Sequence, residues 1–235
     1  VVGLTWFAFN RKGILSFTAP RIRFETLRDC AVNGCGSTII NVAGGVVTLL
    51  FNRTIVVYLH EIGISAASII LYARFMLNSV ISGYSSGVAP VISFNYGRKD
   101  QEQVRFLFRT SLKAVLAGSA LVYLASLLLG DSIVALFASG EPELTEIARH
   151  GIFLFAFSYL FSGVNTFATS LFAALNKGMT AALLAATNTF VFLTASMSIL
   201  PRIGLGADGV WLAVPAAEFM SLGLTIFLLK RNTST

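Results

Sequence analysis

Charge is scarce in this sequence. Only 12% of its 235 residues are Asp, Glu, Lys or Arg, against 55% apolar, and the mean hydropathy is +0.78, which excludes an ordinary water-soluble domain. The lipid bilayer is its solvent. The net charge of +6 does not point to nucleic acid, because the cations sit between apolar runs instead of on one face of a soluble fold. There are two cysteines, Cys30 and Cys35, too few for a disulfide framework and without nearby His or Cys to complete a metal site, so they read as free packing thiols. The two histidines, His60 and His150, stand singly at loop edges. No GxxxxGK phosphate loop occurs, which excludes ATP hydrolysis, and no catalytic constellation emerges, so the chain reads as no enzyme. There is no basic start with a small-residue cleavage site either. The opening VVGLTWFAF, beginning at Val1, reads as the tail of a helix whose start is missing. The chain is therefore expected to be a fragment.

What is abundant is long apolar runs. About 20 apolar residues span a bilayer as a helix, and six stretches qualify: roughly 29–59, 63–95, 106–137, 147–175, 178–200 and 207–229. The breaks between them, HEIG at 60–63, NYGRKD at 95–100, ASGEPE at 138–143, NKG at 176–178 and PRIGLGADG at 201–209, each hold Gly, Pro or charge. The expected architecture is an all-α integral membrane bundle, with 1–28 as the end of a preceding helix plus a cytoplasmic linker and 29–230 as a six-helix lobe. A transmembrane β-barrel would show short alternating segments instead. Thirteen cations fall on one side of these spans, against Arg53, Arg149 and Arg202 on the other. Both ends of the segment are therefore expected in the cytoplasm.

Polar residues inside spans show which faces avoid lipid. In the first span Asn33, Ser37, Asn41, Gly44, Thr48 and Asn52 recur every three or four residues, which at ~100° per residue keeps them on one face. Its asparagines are bulkier than close packing requires, so the face reads as a cavity wall. The second span carries Ser65, Ser68, Tyr72, Ser79, Ser82 and Ser86 on one side and Arg74, Asn78 and Ser85 on another. Close helix packing and a hydrated cavity both account for the serine-rich side. Glu218 lies mid-way along the last span, with Trp211, Ser221 and Thr225 on its face. An intramembrane carboxylate suggests a proton or cation carrier; the alternative is a structural partner for Arg74, the only cation deep in a span. Pro215 removes a helical hydrogen bond beside Glu218, a device by which transporters build binding sites, and Pro90 is expected to kink the second span.

These residues resemble a known family. The stretch GISAASIILYARFMLNSVISGYSSGVAPVISFNYGRKD, with Gly63, Ala66, Arg74, Pro90, Asn95, Tyr96 and Gly97, is similar to the eighth helix and following loop of the multidrug and toxic compound extrusion family. NGCGSTIINVAGGVVTLLFN at 33–52 looks like its seventh helix, and GADGVWLAVPAAEFMS at 206–221 like its twelfth. The resemblance implies twelve helices in two lobes, this chain being the second, with substrate bound between the lobes. It implies efflux of organic, often cationic, drugs or metabolites by antiport with Na⁺ or H⁺ and no other cofactor. The implied partners are membrane lipid, the missing N-terminal lobe and a small organic substrate, and the implied location is a bacterial inner membrane. A flippase for lipid-linked oligosaccharide, or a truncated non-transporting fragment, is the alternative. One departure stands out: Ser37 occupies a position where the subgroup this chain most resembles usually carries Glu, and no acid lies between Arg149 and Lys177, where some family members place Asp. Cation coupling in this lobe then narrows to Glu218, with Ser37, Asn33, Asn41, Arg74, Asn78 and Trp211 as candidate cavity residues.

Overall fold

A computed structural model of the protein describes residues 23–138 and 140–233. Among them no strand occurs. Helix α1 covers Phe24–Gly97, α2 Gln101–Phe137 and α3 Pro142–Ala174. A composite follows: α4 over Gly178–Ala186, a π-helical stretch over Thr187–Leu193, α5 over Thr194–Ile199 and a second π-helical turn over Pro201–Leu205. Helix α6, Gly206–Thr233, is the last element described. The chain divides into two units, Val1–Ser37 and Thr38–Thr235; the core and the cavities belong to the second.

Among the described residues four helical stretches are long and apolar enough to cross a membrane: Thr48–Gly97, Gln101–Phe137, Pro142–Ala174 and Gly178–Arg231. The first and last hold 50 and 54 residues, more than twice what one crossing needs, and each is broken within. His60 leaves helical angles at φ 55, ψ −159, a conformation costly for a residue with a Cβ. In the last stretch Gly204 at φ 102 and Gly206 at φ 52 turn the chain, where only glycine is unstrained. With these breaks the described residues form six helical segments. Pro90 does not interrupt α1, which leaves helical angles only at His60.

Helices in lipid gain little from burying apolar surface against one another and depend on close fit and interhelical hydrogen bonds. Helix α2 shows how. Its buried residues, Ser111, Val115, Ser119, Val122, Ser126, Gly130 and Val134, form one narrow stripe of small side chains, while Leu121, Leu124, Leu128 and Leu136 on its other faces are exposed. The stripe lies on α3, which also packs against α6. A Cβ at Gly163 of α3 would collide with Ser119 Oγ, and one at Gly130 would come within 2.9 Å of Ile152. Helix α3 is thus the centre of the bundle, buried along Ile152, Phe155, Tyr159, Phe167 and Leu171.

Candidate functional site

Helix α6 presents Glu218, Ser221 and Thr225 inward, all buried, and Phe219, Met220, Ile226 and Phe227 outward. The spacing of three and four residues aligns the polar three on one face. The Glu218 carboxylate meets donors from three other segments. Its Oε1 accepts from Arg74 Nη2 of α1 at 3.2 Å, and its Oε2 accepts from Asn165 Nδ2 of α3 at 2.8 Å and from Asn188 Nδ2 of the first π-helical stretch at 3.4 Å. Asn165 Nδ2 also donates to the Glu218 carbonyl at 3.0 Å, and Asn165 Oδ1 accepts from Thr225 Oγ1 at 2.8 Å. Thr169 Oγ1 donates to the Asn165 carbonyl at 2.9 Å.

A lone charge in this environment would cost several kcal/mol, whereas a pair with its remaining lone pairs satisfied is tolerable. The Glu218 oxygens are acceptor-only when ionised and face donors on three sides. Arg74 is also steadied from behind, its Cζ standing 5.6 Å from the centroid of the buried Phe155 ring. The two partners differ in access: the Arg74 side chain is 28% exposed and that of Glu218 only 7%. The pair therefore straddles a boundary between a closed interior and an open face.

Two cavities meet at that boundary. An inner one of about 300 Å³ is lined by Glu218, Ser221, Asn165, Asn188, Thr169 and neighbours. An outer one of about 600 Å³ is lined by Leu71, Phe75, Ser79 and Ser82. Arg74, Asn78 and Thr166 belong to both walls. Asn78 Oδ1 accepts a long hydrogen bond, 3.5 Å, from Ser162 Oγ. Ser221 Oγ is buried in the inner cavity wall without a partner among the described residues, a polar atom available to an incoming cation or water.

Glu218, Arg74 and Asn78 of the candidate residues thus come together. Trp211 lies apart from both cavities, 1% exposed, with its ring so near Gly151 that a Cβ there would stand 3.0 Å away. The side chains of Asn33, Ser37 and Asn41 lie outside the described residues. Pro215 is buried one turn before Glu218. Pro90 lines a separate groove with Ser86, Ser93 and Ser170. Asn95 Nδ2 donates back to the Val91 carbonyl at 2.8 Å, while Tyr96 is exposed and Gly97 ends the helix. Asn165 and Asn188 are site residues that the sequence reading does not single out. The signal for Asn165 is its place: it is a mid-span amide in the segment where some members of the resembled family carry Asp.

The family model MatE matches residues 35–198. No curated protein matches the chain. Solved structures do. They include a MATE protein in complex with MaL6, at 14% identity and a TM-score of 0.87, covering 99% of this chain and 53% of that one. A multidrug resistance MATE family transporter of the MOP superfamily is matched in its outward-facing conformation, at 15% identity and a TM-score of 0.86 over 99% of this chain and 53% of that one. The inward-facing conformation of such a transporter is matched at 15% identity and a TM-score of 0.85 over 98% and 54%. The chain thus spans about half the length of these proteins and has the fold of one lobe. That fold, the apolar helices and a family model covering more than half the sequence agree: the chain is an integral membrane protein of the MatE family, a family of transporters and not of enzymes.

Proposed function

We propose that this chain is the C-terminal lobe of a secondary active exporter that exchanges small organic, often cationic, substrates for Na⁺ or H⁺, with Glu218 as the coupling group. The observation carrying this reading is the Glu218–Arg74 pair on the wall shared by two cavities. While the pair is intact its net charge is zero, and a cationic substrate in the outer cavity meets no excess positive charge. When Na⁺ or H⁺ neutralises Glu218, Arg74 is left uncompensated beside that substrate. Two unit charges about 6 Å apart at an effective dielectric of about 20 repel by roughly 3 kcal/mol, about two orders of magnitude in affinity. Cation entry then expels substrate, which is the competition antiport requires.

The serine side of α1, Ser65, Ser68, Tyr72, Ser79, Ser82 and Ser86, is exposed, and two of its residues line the outer cavity. This supports a surface meant to face the other lobe across a hydrated substrate path. The near-equal match to outward- and inward-facing transporters supports a lobe that keeps its shape while access alternates. We place both ends of the segment in the cytoplasm of a bacterial inner membrane, on the thirteen-to-three cation bias. The test is dye efflux from cells expressing the full-length protein under imposed Na⁺ and H⁺ gradients. Glu218→Gln is expected to lower gradient-driven efflux at least about tenfold with membrane insertion intact; efflux equal to wild type would reject the assignment.

A further inference from the structure

At another corner of the bundle two arginines share a cavity that nothing above explains. Arg53 of α1 and Arg202 of the second π-helical turn line a space of about 380 Å³ together with Thr54, Tyr58 and Ser198. No carboxylate lines it, and among the described residues neither guanidinium forms an ion pair. Two like charges facing one cavity repel unless an anion joins them. Arg202 is held in place by the backbone. The chain reverses through Gly204 and Gly206, and a Cβ at Gly209 would stand 2.6 Å from the Leu200–Pro201 peptide, so α6 starts hard against that segment.

The depth of the cavity bears on its ligand. Arg53 precedes the His60 break by seven residues, about 10 Å of helix, which puts its side chain within reach of the headgroup layer at that end of the bundle. Tyr58 fits the same level. Beside the guanidiniums the cavity wall turns apolar at Leu50 and Val57, both exposed. Charge above and apolar surface alongside match a phospholipid better than a soluble anion. The planar, always-charged fork of arginine suits two oxygens of a phosphate.

We propose that Arg53 and Arg202 form a site for a phosphate oxyanion, supplied by the headgroup of an anionic phospholipid. The test is native mass spectrometry of the full-length protein in mild detergent, titrated with phosphatidylglycerol, with and without saturating inorganic phosphate. Wild type is expected to retain one phosphatidylglycerol more than Arg53→Gln/Arg202→Gln, and each single variant to bind it about ten- to a hundredfold more weakly. Arg149→Gln removes the same charge from a residue already paired with Asp131 and is expected to bind as wild type. Lipid retained in excess phosphate supports the headgroup source, whereas displacement by phosphate supports the oxyanion site with a free ligand. Equal retention by wild type and the double variant, equal loss in Arg149→Gln, or no binding of either ligand to wild type would overturn the proposal.

Discussion

Among single residues Arg74 is the one whose removal separates the competing costs at the site. Arg74→Gln leaves the Glu218 carboxylate buried with only amide donors, and breaking a buried pair in this way costs about 3–5 kcal/mol. Glu218→Gln in the same background removes the uncompensated charge and is expected to restore much of that loss. Thermal unfolding of the single and double variants measures the coupling; additive losses would show that the pair does not interact. Glu218 and Arg74 are legible in the sequence because an ionisable group inside an apolar run is costly and therefore conspicuous. Asn165 and Asn188 are less so, since an uncharged amide in a span serves close helix packing as readily as a site. What distinguishes these two is their meeting at one carboxylate, 53 and 30 residues distant along the chain, and no local pattern encodes that meeting.

Elements were legible to different degrees. Helix ends follow Gly, Pro and charge, as at Gly97, where Arg98, Lys99 and Asp100 follow and Asp100 caps α2 through the Gln103 amide at 3.0 Å. The π-helical stretch Thr187–Leu193 leaves no such trace, because widening the hydrogen-bond register changes the direction of a side chain and not the composition. It is that stretch which carries Asn188 to Glu218. Trp211 shows the converse failure: periodicity sets it on the face of Glu218, but the missing side chain of Gly151 draws it into helix packing. The same logic governs α2 on α3. Gly163→Val places a branched side chain against Ser119 with no room to yield, and overpacking of this kind costs about 1–3 kcal/mol. Lower thermal stability of detergent-solubilised Gly163→Val is expected; wild-type stability would mean that the helices are not this close.

On the scale of the whole molecule the cations divide by side. The orientation proposed above sets the turn at 98–100 and the turn at Gly140 in opposite compartments. In a background without Cys30 and Cys35, a cysteine placed at Lys99 is expected to react with a membrane-impermeant maleimide only after the cells are opened, and one at Gly140 in intact cells. The reverse pattern would invert the orientation. In the exporter proposed above, cation and substrate compete because Glu218 and Arg74 neutralise each other on a wall that both cavities share. The most direct measurement is cation release when substrate is added to the purified full-length protein, followed with a pH-sensitive dye for H⁺ and with radioactive sodium for Na⁺. Wild type is predicted to release one of the two on substrate binding and Glu218→Gln to release neither. Release of the same size from Glu218→Gln, or substrate and cation held together by wild type, would contradict the account.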